Sequence, residues 1–439
     1  MRVLDCLRLG VAGVKAHKKR ALTVVAIVGL LFSVLMAGAF FLQGLENAAL
    51  GKMLAPTGGK VLVMSNVDTK FCGEECDTAE EVAEIRRNIE RYGGEAISAT
   101  MISGEDGMFY RLEKNVFEFE GEGLAIPLST VAKMKGVQLP GWDAGVERRV
   151  EAVQTIFEEV KAEDNESRIV GILPGGVYAS DLSLSSVEQS GNPLNMIFGQ
   201  IVTGTSQNFM IGAAEVSEGS GVDAVSEIGA VSEMDTAEMG LVFAEFPDLK
   251  AAYNYYRDEA NYCLDLDRAF GHCKNGYKYL TMSAVSDPLT TYDNFQLVWL
   301  VFGITAAVLA VIALIIAVST YARLIGKDMK IIALYHAMGS TRGQVRLVYL
   351  SYLLILSVMT VAFSLVVGLG MALLLGAVNG EAISQVFWMG FGAESGKIWL
   401  VGWNWMVWAM VAVLLLSAVL AILLSNGQFA SKKLARKMK

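Results

Sequence analysis

The chain has 439 residues, of which 53% are hydrophobic and 18% are charged, a composition too apolar for an ordinary water-soluble protein. Its charge is unevenly divided: residues 46–296 carry 41 Asp/Glu and 19 Lys/Arg, whereas the remainder carries 4 acidic and 17 basic residues. The acidic block predicts a water-facing domain, and the basic remainder predicts membrane helices with cytoplasmic flanks. Because the basic residues border apolar runs, where anionic lipid accounts for them, nucleic acid is excluded as a partner.

The first 45 residues predict a surface helix followed by a membrane span. Within residues 1–20, apolar side chains from Val3 to Val14 fall on one helical stripe, as in a helix that lies on the cytoplasmic membrane surface. Residues 21–45 form the first apolar run of spanning length. A cleaved signal peptide is the alternative, since Ala37 and Ala39 have the spacing of a cleavage site. The long basic leader and the apolar residues after Ala39 favour an uncleaved span.

Residues 46–292 alternate strand-like and helix-like patterns, which predicts an α+β extracytoplasmic domain in two lobes. A glycine, Gly93, is placed to end the first of its helices. The predicted strands are Lys60–Met64, Ile97–Ile102, Val116–Phe119, Arg168–Leu173 and Leu241–Phe246. The predicted helices are Thr78–Tyr92, Glu147–Glu159 and Leu249–Tyr262.

Four cysteines lie in this acidic domain: Cys72, Cys76, Cys263 and Cys273. In an outward-facing domain they indicate two disulfides, whose pairing the sequence does not determine. A zinc site that uses these thiolates, with or without His272, is one alternative, and free thiols are another.

Residues 293–439 predict three further spans, at about 295–322, 348–375 and 406–424, followed by a basic C-terminal tail. A tryptophan-rich outer loop over 379–404 precedes the last span, as expected at a membrane interface. The distribution of Lys and Arg places both termini in the cytoplasm. The predicted fold class is therefore an α-helical membrane protein with four transmembrane helices in a 1+3 arrangement and an α+β domain inserted between spans one and two.

The connector between the second and third spans carries clear signals for where helices begin and end. A cytoplasmic coupling helix is predicted over about 328–346, with Asp328 as its N-cap and Gly339 at a left-handed C-terminal position. Apolar residues of the connector recur at helical spacing, and a Thr341/Gln344 capping box begins the next helix. The members of this apolar stripe are Ile331, Leu334, Tyr335 and Met338.

Several kinds of chemistry have no signature in the sequence. There is no Walker A motif, so the chain is predicted to be no enzyme, and any ATP use belongs to a partner chain. The three histidines fall in separate regions, which argues against a metal centre or a catalytic triad. The predicted spans have no Asp, Glu, Lys, Arg or His in their interiors, unlike proton-coupled or ion-coupled carriers. These helices are therefore expected to transmit movement rather than to bind a polar substrate.

The layout of one span, a large outer domain and three spans resembles the ABC-transporter permeases of the MacB/FtsX/LolC type. The most specific segment is Lys330–Arg346 (KIIALYHAMGSTRGQVR), which is similar to the family's E-I-x-x-L-R-A-L-G-A segment before the third span. Gly123–Thr130 and Arg168–Leu173 are weaker matches in the outer domain. Lys330 replaces the family's usual Glu, and Tyr335 and His336 stand where Leu and Arg are common.

The resemblance implies a permease subunit that pairs with a second permease chain, identical or not, and docks two cytoplasmic ABC ATPase subunits. ATP and Mg²⁺ would be bound by the ATPase and no cofactor by this chain, in a bacterial cell membrane. The implied output is export of a peptide, drug or lipid-linked substrate, with room for an extracytoplasmic adaptor or substrate-binding protein. The alternatives are a signalling or scaffold permease that regulates an outer partner such as a cell-wall hydrolase, and a membrane-anchored enzyme or adhesin. The ATPase contacts implied are Lys330, Leu334, Tyr335, His336, Met338, Gly339, Ser340 and Arg342.

Overall fold

The computed structural model divides into two compact units. One comprises residues 1–47, 297–380 and 398–439 and is called the helical unit; the other comprises 48–296 and 381–397 and is called the sheet unit. The structure describes residues 3–67, 78–104, 107–134, 136–137, 151–152, 154–156, 158, 160, 169–173, 207–211, 232–258, 279–285, 287–391 and 400–424.

The helices with complete bounds are α1 (Val3–Ala16), α2 (Lys18–Leu54), α3 (Thr78–Arg91), α4 (Leu128–Met134), α5 (Leu249–Asp258), α6 (Pro288–Lys327), α7 (Met329–Ala337), α8 (Arg342–Phe391) and α9 (Trp405–Leu424). The strands are β1 (Val61–Val67), β2 (Glu95–Ile97), β3 (Ala99–Gly104), β4 (Gly107–Leu112), β5 (Gly123–Pro127), β6 (Ile169–Leu173), β7 (Asn208–Ile211), β8 (Ser232–Asp235), β9 (Leu241–Phe246) and β10 (Tyr279–Ser283).

In the described part of the chain, four helices are long and apolar enough to cross a membrane: α2, α6, α8 and α9. They coincide with the four predicted apolar runs, and α2, α6 and α8 continue well beyond them. The predicted outer loop over 379–404 is wrong in its first part, because α8 continues as a helix to Phe391. A charged residue, Glu381, lies in this extension, so hydropathy marked the end of the apolar run but not the end of the helix.

Close backbone approaches hold the helical unit together. The carbonyl oxygen of Gly29 on α2 accepts a hydrogen bond of 3.0 Å from the Ser364 hydroxyl on α8. A Cβ added to Gly368 would lie 3.0 Å from the Ser33 carbonyl oxygen, so glycine allows α8 to approach α2 closely. At Gly44 an added Cβ would lie 2.1 Å from the backbone nitrogen of Val401. Small residues therefore determine where these segments meet.

The described residues of the sheet unit form two sheets. Strand order is β10-β1-β9-β2 in the first, which is antiparallel, and β6-β5-β7-β4-β3-β8 in the second, which is mixed. Aromatic side chains of the second sheet and of β9 form one buried cluster, with Phe209 centred 5.0 Å from Phe117 and 6.0 Å from Phe243. On its other face the first sheet packs against α3 and α5. On the outer face of the second sheet, Val131 and Ala132 of α4 pack against Ile126. These contacts give an α/β/β/α layering.

The predicted strands at 60–64, 97–102, 168–173 and 241–246 are confirmed in the described residues as β1, β2 with β3, β6 and β9. Two predicted helices are confirmed as α3 and, over its described part, α5; Gly93 ends α3 with a φ of 79°. The helix predicted at 147–159 lies mostly outside the described residues, and those described in 151–160 are helical.

The strand predicted at Val116–Phe119 is wrong. Val116 and Phe117 are buried in the aromatic cluster without joining a sheet, and Phe117 stacks on Phe119. The Phe117 N–H donates to the Asn115 side chain and the Glu118 N–H to the Pro56 carbonyl, so these backbone donors are satisfied without a ladder. Alternating apolar residues here report burial and not strand pairing.

Candidate docking site at the helical connector

Within the coupling segment predicted over 328–346, the structure has one short helix, a break at Gly339 and the first turn of α8. Helix α7 ends at Ala337, and Arg342 already belongs to α8. Gly339 has a φ of 86° and donates its N–H to His336 O, while Ser340 donates to Tyr335 O. This Schellman pattern ends α7 and separates it from α8.

The predicted capping box at the start of α8 is confirmed. The Thr341 N–H donates to Gln344 Oε1 at 3.0 Å, and the Gln344 N–H donates to Thr341 Oγ1 at 3.4 Å. A Cβ added at Gly339 would meet no atom within 4 Å, so the positive φ rather than lack of space calls for glycine. Both ends of the short segment between the helices are therefore set by local hydrogen bonds.

Asp328 occupies the N-cap position of α7, but its side chain makes no capping hydrogen bond, which corrects the predicted role. Its carboxyl group is buried instead. Burial raises the pKa of Asp328, and the positive charges of His17 and Arg20 oppose that rise. The first turn of α7 thus faces charged residues from the start of α2 and the turn before it.

One side of α7 is anchored in the core of the helical unit and the other is exposed. Ile332 is fully buried and Ala333 is 9% exposed, and both belong to the core cluster. On the opposite side, Ile331, Leu334 and Met338 are 38%, 59% and 64% exposed. These three residues, called the α7 stripe, belong to the apolar pattern seen in the sequence. A short helix that exposes three large apolar side chains next to each other is typical of a binding surface.

The remaining predicted contact residues are distributed around this stripe. Tyr335 is half-buried and packs against the helical core. His336 is half-buried, and its Nδ1–H donates to Ser340 O at 3.0 Å, so the ring helps to close the turn. Arg342 is exposed at the start of α8. The Lys330 side chain lies outside the described residues. Ile331 was missing from the predicted contact set, although its position in the apolar repeat was visible in the sequence.

Basic residues flank α7 along the chain. Arg323 and Lys327 are exposed on the last turns of α6, and Arg342 is exposed on the first turn of α8. Asp328 is the one acidic residue of segment 323–346, and it is buried. Among the described residues of the connector, the exposed charged side chains are therefore all basic, and the exposed large apolar side chains are those of the α7 stripe.

The structure does not test the cysteine and tail predictions. Cys72, Cys76, Cys263 and Cys273 lie outside the described residues, as does the basic tail after Leu424. Within the described part of the chain, no group of three or more His, Cys, Asp or Glu side chains could hold a metal ion. Compared with known proteins, the chain matches no family model and no curated protein.

Proposed function

We propose that this chain is the permease subunit of an ABC transporter of the mechanotransmission type. A separate cytoplasmic ATPase docks on the connector, and its ATP cycle moves the spans and, through them, the sheet unit on the other side of the membrane. The observation that carries the proposal is the α7 stripe, exposed between two candidate spans while the opposite side of the same helix is fixed in the core.

The anchoring of α7 supports a role in force transmission. Ile332 and Ala333 pack in the same cluster as core residues of α6 and α8, so a push on α7 is expected to move those helices with it. The Schellman turn and the capping box resist bending between α7 and α8. Movement of a docked ATPase would therefore be passed through α7 to the spans.

The chemistry of the connector indicates what kind of surface should meet it. Protein–protein interfaces are enriched in Met and Arg, and they combine an apolar centre with a polar rim. The proposed ATPase surface is accordingly an apolar groove with acidic residues around it. ATP and Mg²⁺ are bound by that partner, and the resemblance supports two ATPase copies and a second permease chain.

The proposed orientation follows from charge. Four apolar helices are compatible with a multi-pass membrane protein, and exposed Arg323, Lys327 and Arg342 support a cytoplasmic connector by the positive-inside rule. The acidic sheet unit then lies outside a bacterial cell membrane. The proposed output is export of a peptide, drug or lipid-linked substrate. A regulatory output is separated from it by measuring transport and outer hydrolase activity in the same cells.

The test is co-purification of the ATPase with tagged full-length chain. Leu334→Glu and Met338→Glu place a charge on the α7 stripe and are expected to lower ATPase recovery by about tenfold or more, equivalent to about 1.4 kcal/mol of binding. Met239→Glu is the matched control, because Met239 is also an exposed methionine but lies in the sheet unit. Absence of an ATPase from the wild-type complex, or recovery unchanged by both stripe variants, would contradict the proposal.

A further inference from the structure

A basic surface of the helical unit lies at the corner where α1 meets α2, with only His17 between the two helices. Four cations are exposed there and are called the corner cations: Arg8 and Lys15 on α1, and Lys18 and Lys19 on the first turn of α2. No acidic side chain among the described residues forms an ion pair with any of them. Arg20 is not included, because its charge acts on the buried carboxyl group of Asp328. The corner therefore carries four positive charges that no described part of the chain balances.

Close contact with α8 orients α1. A Cβ added to Gly10 would lie 3.1 Å from the Tyr352 backbone nitrogen, and one added to Gly13 would lie 3.2 Å from Tyr352 Cδ2. Because these two glycines lie almost one turn apart on α1 and meet the same residue of α8, α1 crosses α8 and does not run along it. At about 100° per residue, Arg8 and Lys15 lie on the opposite side of α1 from the glycines, and both are exposed. The packing of α1 thus turns its two cations away from α8.

The corner lies where exposed charged side chains give way to exposed apolar ones. On α2, Leu22 is 67% exposed one turn after the corner cations, and it begins the exposed apolar face of that helix. On α1, Val11 is 42% exposed and stands between Arg8 and Lys15 on the same side. The crossing with α8 is likewise near the start of the apolar run at 348–375. Such an arrangement is typical of a membrane interface, where basic side chains reach the head groups and apolar side chains reach hydrocarbon.

We propose that the corner cations bind the head group of an anionic phospholipid, whose acyl chains lie along the exposed apolar face of α2 that begins at Leu22. The charge and the apolar neighbours together favour a lipid, because a free phosphate ion would supply negative charge but no hydrocarbon. In the proposed orientation this lipid belongs to the cytoplasmic leaflet. Basic flanks of spans attract anionic membranes in general, whereas this corner should select single anionic lipids over neutral ones at one position. The inference rests on the membrane insertion included in the proposed function but not on coupling to an ATPase.

The test uses full-length chain with a photoreactive side chain at exposed Val11, reconstituted into vesicles of phosphatidylglycerol with an excess of phosphatidylcholine. After irradiation, mass spectrometry measures the ratio of phosphatidylglycerol adducts to phosphatidylcholine adducts. At Val11 this ratio should exceed the lipid ratio of the vesicle by about tenfold, equivalent to about 1.4 kcal/mol. Val358 is the control position, because it is exposed within the apolar run of α8, and its adducts should match the lipid ratio of the vesicle.

A triple variant removes three corner cations by Lys15→Gln, Lys18→Gln and Lys19→Gln. It should abolish the selectivity at Val11, since each cation beside a membrane contributes about fivefold to the binding of an anionic surface. The same three positions changed to Arg should keep the selectivity, because the charges remain. The matched control removes three charges from the sheet unit by Lys52→Gln, Arg87→Gln and Lys250→Gln, and it should leave the selectivity unchanged.

If the triple variant failed to insert, Arg8→Gln with Lys15→Gln leaves the cations of α2 in place and should still lower the selectivity severalfold. Adducts at Val11 in the lipid ratio of the vesicle, or selectivity unchanged in the Gln variants, would overturn the proposal. Protein-sized adducts would overturn it in favour of a protein partner. Loss of selectivity on adding inorganic phosphate at constant ionic strength would overturn it in favour of a free-anion site. Release of the wild-type chain by alkaline extraction would instead show that membrane insertion fails, and the proposed function with it.

Discussion

The helical unit and the sheet unit are each stabilised internally by a different kind of contact. In the helical unit, small residues such as Gly44 and Gly368 let backbones meet, and the helices remain apolar on faces that nothing in the unit covers. In the sheet unit, Phe209 and Phe243 fill the space between two sheets. In the proposed membrane setting the difference has a physical reason. In water, burial of an aromatic ring is itself favourable, whereas in lipid an apolar side chain gains little by moving inward, so shape selects the contacts.

The partners of two buried glutamates also differ between the two units. Glu46 in the helical unit and Glu245 in the sheet unit are each 7% exposed. Glu46 accepts hydrogen bonds from the neutral donors Trp299 and Gln43. Glu245 is paired with two cations, Lys60 at 2.6 Å and Lys114 at 3.3 Å. Neutral partners suit a site at the end of a span, while paired charges suit a domain that is surrounded by water.

The largest expected effect is at Gly44. In Gly44→Leu the new Cβ would lie 2.1 Å from Val401 N and 2.2 Å from Leu400 C, both backbone atoms that cannot rotate away. We expect the helical unit to lose about 5 kcal/mol or more and folded protein to be recovered poorly. Gly51→Leu, on the same helix with no atom within 4 Å, is the control. Equal yields of the two variants on size-exclusion chromatography would mean that close backbone approach does not hold this unit.

The next largest effect is expected at Phe209. Phe209→Ala would remove a fully buried ring that lies against Tyr110, Phe117 and Phe243. The cavity should cost about 3–5 kcal/mol. Hydrogen exchange measured by mass spectrometry should become faster in β7 and β9 and stay unchanged in α8. Faster exchange of α8 as well would show that the two units unfold together and do not differ as proposed here.

Much of the helical unit could be predicted from the sequence because its signals are local. Apolar runs locate four helices, and Gly339 with the Thr341/Gln344 box locates the break between α7 and α8. What the sequence did not show is which side of α7 is covered. Ile332 and Ile331 are adjacent and chemically identical, and only the packing of α7 on the core makes one buried and the other exposed.

The sheet unit was predictable only in part because strand pairing is nonlocal. β1 pairs with β9 and β10, which lie far along the chain, and nothing near Val61 indicates those partners. The sequence prediction missed five strands, β4, β5, β7, β8 and β10. Val116–Phe119 was assigned as a strand because burial and pairing give the same alternation of apolar residues.

A third prediction concerns the paired carboxylate. Burial tends to raise the pKa of Glu245, but the hydrogen bonds and charges of Lys60 and Lys114 outweigh it and hold the pKa below its ordinary value. Its contribution to stability is therefore complete above the ordinary pKa near 4.5 and is lost as the pH falls through the lower folded-state pKa. Glu245→Gln should cost roughly 1–3 kcal/mol at neutral pH.

The measurement is the exchange rate of β1 and β9 amides from pH 7 down to about pH 3, corrected for intrinsic exchange. The wild-type protein should lose protection in these strands over the acidic part of this range, and Glu245→Gln should lose less. Glu46→Gln, with neutral donors around it, is the comparison in the helical unit. An identical pH profile for wild type and Glu245→Gln would show that the ion pairs of Glu245 do not stabilise the sheet unit.

The smallest expected effect concerns a single hydroxyl in the crossing of α2 and α8. Ser364→Ala removes the 3.0 Å hydrogen bond to Gly29 O and should cost about 0.6 kcal/mol, as such bonds do between membrane helices. The unfolding midpoint in detergent should fall by about 1–2 °C. Thr305→Val is the control, because the Thr305 hydroxyl bonds to Val301 O within its own helix. If both variants lowered the midpoint equally, the Ser364 hydroxyl would not stabilise the crossing of α2 and α8. The close fit of Gly29 and Gly368 to the facing helix would then have to stabilise the crossing.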